Sequence, residues 1–491
     1  MSARAELGTL EASGLIEIAA LQPELEYLFR HALVQEAAYA SLLKQDRRSL
    51  HRAAAETILA LHPGRERELA GVIGMHFEQS GDAASAARYL LLAGDHAFER
   101  FANREAVAFY IRAFNLADES QFDVRLRAAV GSAKAGWTIN EQGTDIGRLE
   151  AALSAEESAD QRLVTEAYFW IAFLRRARGE VPETSSELRV ALERGARLGE
   201  ALNDPGAAAL PRAFLGWLSA VSGNLRQGAQ DMREALEAIE ASGDHVSAAI
   251  VSDFLAIAYA RLGEFTAAEE LRERSSRLAG EGDEIARIDA DLAASALHLE
   301  RGELDAASKR ALSCAARAEE IGAYACVIVS NVLLAAATLG LDDPNGAKAP
   351  LERGIDLSRV TKMPQLRTLT EALLGSVMVQ LGDLPGGVAN WDEALTRAQE
   401  MHDRYGEAQT LWARGRANQK LPNPDWAAVN SDLDHAIELF EDMEARPSLA
   451  RALHDRAVAL RALGRAHEAD VAHRMSIDLA KELGLKDKTP V

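Results

Sequence analysis

A glycine that recurs between two helix-like segments is the feature that most constrains the fold of this chain. In the stretch 250–279, an apolar run reaches Leu262, Gly263 closes it, and Phe265 begins a second segment with a 3.6-residue apolar period. Small residues lie seven before, five after and twelve after this glycine, at Ala256, Ala268 and Ser275. The same offsets carry small residues around Gly81, Gly179, Gly223, Gly302, Gly382 and Gly464. The chain therefore contains an internal repeat.

These offsets are the ones that two closely packed antiparallel helices require. A small residue late in the first helix lets the second helix cross near it, and the residue at plus twelve faces the next hairpin. The pattern resembles the tetratricopeptide repeat, whose small consensus positions fall at these places. The glycines from Gly179 onward are spaced by 44, 40 and 39 residues, longer than the roughly 34 of that family. We therefore expect an all-α fold, a tetratricopeptide-like α-solenoid whose helix hairpins form a right-handed superhelix.

The length of the chain bears on its fold, and its charge bears on the kind of partner that it can bind. A chain of 491 residues is too long for one compact core but ordinary for a solenoid, in which each unit contacts its neighbours. Residues 1–120 hold 17 acidic and 12 basic residues, so −5 of the net charge of −21 lies there and −16 in the other 371 positions. This even acidic surface argues against binding to nucleic acid or to an anionic membrane.

Cysteine use and hydropathy indicate a cytoplasmic protein. The two cysteines, Cys314 and Cys326, are too few for a secreted disulfide framework, and we expect both to be core thiols. No signal-peptide pattern begins the chain. The uncharged run 324–341 is long enough to cross a membrane, but Ser330 and Asn331 interrupt it where a first helix of the repeat is expected. It is predicted to be a buried solenoid helix.

The N-terminal segment carries the one convincing β signal and a second resemblance. Two short strands, 15–20 and 26–30, flank a Pro turn and predict a hairpin. The string that follows resembles the end of the winged helix in signal-transduction ATPases of the STAND class, where Phe-x-His-x-Leu and Tyr-x-x-Leu lead through Arg-x-x-Leu-His into a helical-repeat superhelix. The matching residues of this chain are Phe29, His31, Leu33, Tyr39, Leu42, Arg47 (or Arg48), Leu50 and His51.

The resemblance implies the sensor arm of a STAND regulator, whether cyclase-associated or a transcriptional activator. It implies a protein partner or a small effector on the concave face, and a nucleotide-binding or cyclase module as a second partner. The phosphate-binding loop Gly-x-x-x-x-Gly-Lys-Ser/Thr does not occur in the sequence, nor does a catalytic motif or a metal-ligand spacing. We therefore expect no enzyme activity, no cofactor and no metal in this chain.

Two other classes of function remain open at this point. One is a free-standing scaffold that binds protein partners. Another is a winged-helix regulator that binds DNA, although residues 15–60 hold five basic and six acidic residues and so offer no electropositive face. A response of the protein to small molecules would distinguish the sensor from the scaffold. An electrophoretic mobility shift at low salt would identify DNA binding.

Several residues of the repeats are candidates for a binding site on the concave face. Arg175 belongs to an aromatic first helix and predicts recognition of an acidic or aromatic ligand, although its aromatic neighbours could simply fill the core. Trp217 and Asp253 occupy positions that point toward the concave side, and Trp412 is a weaker case of the same kind. For Trp217, packing against a neighbouring repeat is the alternative. His31 and His51 are expected to fasten the winged-helix remnant to the first repeat rather than to do chemistry.

The sequence is predicted to divide into three parts. Residues 1–60 are predicted to be the winged-helix remnant with its connecting helix, and 61–160 the first helical repeats. Residues 161–491 are predicted to be the tetratricopeptide-like superhelix with a C-terminal cap. Phe29 and Tyr39 are expected in the core of the first part.

Overall fold

A computed structural model describes residues 3–20, 26–100, 102–139, 145–153, 160–177, 186–203, 205–241, 245–278, 284–361 and 363–486. Within these ranges the chain forms α-helices almost throughout, with one two-stranded sheet and a short 3-10 turn at Pro364–Leu366. The all-α class and the tetratricopeptide-like solenoid predicted from the repeat are confirmed. The three-part division stays a prediction.

The N-terminal module is the part before the first solenoid hairpin, residues 3–61. It comprises α1 (Ala3–Ala12), β1 (Ile16–Ala20), β2 (Glu26–Phe29), α2 (Ala32–Ser41) and α3 (Lys44–Leu61). The strands are antiparallel, with Ile16 opposite Phe29. The predicted β-hairpin is therefore confirmed, while the Pro turn between its strands lies outside the described residues. The long helix α3 joins this module to the solenoid.

The solenoid begins at α4, and each helix packs against its successor. Its first helices are α4 (Ala70–Ser80), α5 (Ala83–Glu99), α6 (Asn103–Leu116), α7 (Phe122–Ile139), α8 (Asp145–Leu153), α9 (Gln161–Ala177), α10 (Ser186–Ala201), α11 (Pro205–Val221) and α12 (Leu225–Ala241). The next are α13 (His245–Leu262), α14 (Phe265–Leu278), α15 (Glu284–Arg301), α16 (Leu304–Glu320), α17 (Tyr324–Gly340) and α18 (Pro344–Val360). The last are α19 (Arg367–Gln380), α20 (Leu384–Glu400), α21 (Arg404–Asn418), α22 (Trp426–Asp442), α23 (Arg446–Ala462) and α24 (Ala466–Leu483).

Small residues bring the two helices of a hairpin into backbone contact, as the repeat offsets predict. A Cβ added at Gly216 of α11 would lie 2.8 Å from the carbonyl oxygen of Gly228 in α12. A Cβ at Gly375 of α19 would lie 2.9 Å from the Gly387 oxygen of α20 and 2.6 Å from Nε1 of Trp391. Each pair joins the minus-seven and plus-five positions of one repeat, so these offsets are direct helix–helix contacts.

The turns end the first helices in the left-handed conformation. Gly223, Gly263 and Gly382 have φ values of 108°, 82° and 95°. Where the turn lacks glycine, after α17, Asp342 adopts φ 60° instead. Glycine is favoured here because it has no Cβ to clash in this region of φ.

The sequence pattern leaves open which helices pair between residues 100 and 160. In the structure, each helix of this region packs against the next one along the chain. Helix α6 packs against α5 and α7, and α7 also contacts α8 and α9. Tyr110 of α6 is 2% exposed and inserts between Gly94 and Gly131, where an added Cβ would lie 2.5–2.6 Å from its ring. Its hydroxyl donates to Asp95 at 3.0 Å.

The superhelix returns on itself after ten helices. Helix α23 contacts α13 and α15, and the 3-10 turn at Pro364–Leu366 contacts α9. Five hairpins therefore make about one turn, and successive turns touch along the axis. A solenoid whose units met only their neighbours in sequence would show none of these contacts.

Candidate functional site

Three residues of the N-terminal motif form one connected group that reaches the solenoid. The Tyr39 hydroxyl and His51 Nε2 are 3.0 Å apart, and His51 Nδ1 lies 2.8 Å from Nδ1 of His76 in α4. The guanidinium of Arg47 lies 5.1 Å from the centre of the Tyr39 ring. Because His76 belongs to the first solenoid hairpin, the group fastens α2 and α3 to the repeats. Sequence reasoning found Tyr39, Arg47 and His51, but His76 lies outside the motif.

Phe29 and Tyr39 are not core residues, contrary to expectation. Their exposed fractions are 43% and 41%. Helix α2 has no buried residue, so the described part of the module encloses no core around it. His31 precedes α2 as its N-cap residue without a capping hydrogen bond from its side chain, and it is exposed. Phe29 and His31 therefore stand apart from the group formed around His51.

The N-terminal module exposes many large apolar side chains. Helix α2 and its flanks contribute Leu33 at 78% and Leu43 at 72% exposure. The others are Leu10, Leu15, Ile18, Leu28, Phe29, Tyr39, Leu50 and Leu61. An exposed apolar side chain is ordinary when single, but this concentration within about sixty residues forms an extended apolar surface.

Arg175 lies at the edge of an aromatic cluster. Its guanidinium donates to Glu150 of α8 at 2.5 Å. On the same helix, Phe169 and Trp170 are 8% and 9% exposed, and Phe169 meets Phe214 of α11 edge to face with centroids 5.4 Å apart. The aromatic residues around Arg175 therefore fill the core between first helices, while the arginine itself is partly exposed.

Trp217 packs between neighbouring first helices and is partly buried. Its ring stacks on Phe254 of α13 with centroids 5.0 Å apart and an interplanar angle of 21°. The Arg261 guanidinium lies 5.9 Å from the Trp217 ring and 3.9 Å from the ring of Tyr405 in α21. Trp217 thus belongs to an aromatic and arginine group that spans two turns of the superhelix.

Asp253 is enclosed instead of facing an open groove. It is 3% exposed, and the Ser275 hydroxyl of α14 donates to its carboxylate at 2.9 Å. Burial, and after it the charge of Asp289, raises the pKa of Asp253 well above its ordinary value. Ser275 is the small residue at plus twelve, so this position holds the polar partner that draws the carboxyl into the helix interface.

Trp412 is also held in place by contacts with neighbouring helices. Its indole N–H donates to Asp455 of α23 at 2.7 Å, and the Arg416 guanidinium lies 5.7 Å from its ring. The edge of its ring meets Phe440 of α22 with centroids 6.4 Å apart. Its principal role in this structure is to join α21 to the two helices that follow.

A buried polar group between superhelical turns was not found from the sequence. Glu300 of α15 is 9% exposed and accepts a hydrogen bond from the Tyr405 hydroxyl at 3.0 Å. Arg451 of α23 donates to the same carboxylate at 3.3 Å. No local signal reveals this group, because its members come from helices far apart in sequence.

The described part of the chain offers no metal site or membrane span. No cluster of three or more His, Cys, Asp or Glu side chains in the described ranges has a geometry that could hold a metal ion. Among the described helices, none is both long and apolar enough to cross a membrane. Helix α17, the uncharged run, is a solenoid helix as predicted, and Ser330 and Asn331 are buried in it.

Comparison with known proteins finds likenesses among solved structures only. No protein-family model matches the chain, and no curated protein matches its sequence. A Rap protein complexed with competence and sporulation factor is 12% identical, covers 82% of this chain and 99% of its own, and superposes with a TM-score of 0.48. A STAND protein with a tetratricopeptide repeat sensor from Pyrococcus horikoshii is 16% identical, with coverages of 83% and 61% and a TM-score of 0.46. The apo quorum sensor NprR from B. thuringiensis is 14% identical, with coverages of 72% and 98% and a TM-score of 0.45.

These structures are similar to this chain as helical-repeat proteins. At 12–16% identity the likeness concerns the fold alone. The tetratricopeptide-like architecture of this chain rests on its own helix order and helix packing.

Proposed function

We propose that this chain is a non-enzymatic interaction and effector-sensing superhelix of a STAND-type signalling regulator. Its N-terminal module would dock against a nucleotide-binding or cyclase module, and its repeats would bind a protein or a small effector. The observation that carries the proposal is the exposed apolar surface of the N-terminal module, next to the motif residues Tyr39, Arg47 and His51.

The exposed apolar surface favours a permanent protein partner. Fully burying a leucine side chain stabilises a complex by about 1.5–3 kcal/mol. Leu33 and Leu43 alone, at 78% and 72% exposure, therefore represent a substantial driving force for docking. Charge contributes little, since residues 15–60 hold five basic and six acidic residues. The favoured partner is thus a protein with an apolar face of its own.

The His51 group supplies a mechanical link for signalling. Tyr39, His51 and His76 connect the docking module to the first solenoid hairpin by short polar contacts. A ligand that binds the repeats preferentially in one curvature would shift the equilibrium between two arrangements of the module. This is how an effector on the superhelix would reach a separate catalytic module.

Affinity capture from the source cell's lysate, with mass spectrometric identification, tests the proposal. We expect the wild-type chain to retain a nucleotide-binding or cyclase protein. The double variant Leu33→Ser with Leu43→Ser should lose it. The matched control is Leu312→Ser with Val360→Ser, whose exposed fractions are 61% and 81% but which lie on α16 and α18. Retention of such a partner by the Leu33 and Leu43 variant would contradict docking through this module.

A free-standing scaffold is the second candidate. The partly exposed Trp217 and Arg175 favour it, because aromatic and arginine side chains dominate protein-binding surfaces. A scaffold should bind a protein that is lost in Trp217→Ala or Arg175→Ala and kept in the Leu33 and Leu43 variant. Binding to DNA through the N-terminal module would instead give a mobility shift at low salt, which we do not expect.

A further inference from the structure

The contact between α11–α16 and α21–α24, one superhelical turn later, is here called the inter-turn contact. It joins segments separated by five hairpins. On one side lie the turns and C-terminal ends of first helices, around Gly223, Gly263 and Arg301. On the other lie the beginnings of α21 and α23 and the end of α24.

The centre of the inter-turn contact is polar. The Glu300 carboxylate is held by Tyr405 at 3.0 Å and Arg451 at 3.3 Å. Arg451 also donates to the carbonyl oxygens of Leu299 and Glu300, at 3.2 and 2.8 Å. Its side chain is 16% exposed and that of Glu300 is 11% exposed, so the ion pair is nearly enclosed. One arginine therefore both neutralises Glu300 and satisfies the end of α15.

Solvent-exposed ion pairs surround this centre. Arg226 of α12 pairs with Glu444, in the turn between α22 and α23, at 2.8 Å. Lys486 pairs with Glu303 at 2.6 Å. Each pair has at least one side chain about half exposed or more, so water and salt reach both.

The apolar part of the inter-turn contact comprises the Tyr405 ring, on which the Arg261 guanidinium lies at 3.9 Å, and two leucines near the end of α24. Leu483 and Leu485 pack at the edge of the cluster that holds Phe265 and Leu297. Leu483 lies so close to Gly263 that a Cβ there would be 2.6 Å from its Cδ2. The backbone N–H of Lys486 donates to the Arg301 carbonyl oxygen at 2.9 Å. Adjacent hairpins, in contrast, share extended apolar cores, of which one includes Leu255 and another Leu453.

We propose that the inter-turn contact is a reversible latch, which opens while the hairpins themselves stay folded. A contact centred on hydrogen bonds and ion pairs resembles the interfaces between mobile domains, whereas the hairpin interfaces resemble a continuous core. The latch is therefore the place where the superhelix separates first. Opening lengthens the superhelix and exposes Arg261, Glu300 and Tyr405 to solvent. This inference concerns the superhelix itself and holds whichever module docks at the N-terminus.

The variant Arg451→Met tests the latch, because it removes the guanidinium and keeps an unbranched apolar stem. We expect a larger radius of gyration by small-angle X-ray scattering, with unchanged helical circular dichroism. Hydrogen exchange in a peptide spanning 480–486 should become at least about tenfold faster, since the Lys486 amide loses its acceptor.

A matched control removes an equivalent arginine inside one hairpin. Arg414 of α21 donates to Asp432 of α22 at 2.8 and 2.6 Å, and their side chains are 26% and 15% exposed. The variant Arg414→Met should lower the unfolding midpoint but leave the radius of gyration and the exchange of 480–486 unchanged.

Wild-type protein gives an independent readout if Arg451→Met does not fold. Raising the salt concentration to about 1 M shortens the Debye length to about 3 Å and weakens the exposed pairs Arg226–Glu444 and Lys486–Glu303. We expect faster exchange of 480–486 under these conditions. A folded Arg451→Met variant with wild-type dimensions and exchange would overturn the proposal. Where that variant does not fold, unchanged wild-type exchange at high salt would overturn it equally.

Discussion

The phenol of Tyr405 donates a hydrogen bond of 3.0 Å to Glu300, a residue 105 positions earlier in the chain. Burial, followed by the negative charge of Glu300, raises the pKa of Tyr405 well above its ordinary value, so the phenol stays protonated as a donor. This hydrogen bond joins α15 in one turn of the superhelix to α21 in the next.

Removing this hydroxyl should destabilise the protein without altering a hairpin core. We expect Tyr405→Phe to lower the free energy of unfolding by about 1–3 kcal/mol, since the bond goes to a charged group in a buried setting. Chemical denaturation measures the change. Tyr324→Phe is the control, because the Tyr324 hydroxyl makes no hydrogen bond within the described residues and its loss should be nearly neutral. Equal effects of the two variants would contradict the assigned role.

The junction between the N-terminal module and the solenoid should weaken in acid. His51 and His76 meet through their Nδ1 atoms at 2.8 Å, so one must be deprotonated to accept the bond. Burial, and then the charge of His51, lowers the pKa of His76. The detached state therefore binds protons more readily, and the stability of the junction is lost as pH falls below about 6.5.

Hydrogen exchange of α2 and α3 measures this junction. After correction for intrinsic rates, protection should be lower at pH 5.5 than at pH 7.5. The variant His76→Asn, which cannot gain a proton in this range, should abolish the difference. A pH dependence that survives in this variant would assign the effect to other groups.

Close packing at the repeat glycines should make them intolerant of a single methyl group. Gly375→Ala places a Cβ 2.6 Å from Nε1 of Trp391, which is 0% exposed and donates to the Ala372 carbonyl at 3.0 Å. We expect a loss of about 1–3 kcal/mol in the free energy of unfolding, because the buried indole must shift. Gly147→Ala, also within a helix but with no atom within 4 Å of the new Cβ, should be neutral or stabilising. Thermal unfolding of the two variants compares them directly.

Cys314 should behave as an inert thiol in the folded protein. It is 0% exposed, and burial, the largest cause, raises its pKa to about 11. A disulfide reagent at pH 8 should therefore modify Cys314 only after denaturant unfolds the superhelix. Comparison with Cys314→Ser identifies its signal, and rapid modification of Cys314 under native conditions would show that the hairpin of α15 and α16 opens locally.

Much of the solenoid could be predicted because its chemistry is local. The contacts of Gly216 with Gly228 and of Gly375 with Gly387 follow from helix geometry over twelve residues. The left-handed φ of 82° at Gly263 likewise depends only on how a helix ends.

Contacts that depend on superhelical pitch could not be predicted. The distance between Glu300 and Arg451 is set by small rotations that accumulate over five hairpins, and no residue spacing encodes them. The register of Asp253 predicted a position on the concave side, but it did not predict the burial of its carboxylate or the hydrogen bond from the Ser275 hydroxyl. Phe29 was expected in a core, yet it is 43% exposed because the described module has no layer to cover it.

The contact between α13 and α23, which lie one superhelical turn apart, also constrains how this protein can change in evolution. Solenoids commonly gain or lose units by duplication and deletion, since each unit needs only its neighbours. Here, inserting one hairpin between α16 and α21 would carry Tyr405 and Arg451 past Glu300 by a fifth of a turn. The copy number of this stretch is therefore expected to be invariant, while repeats before α9 remain free to vary.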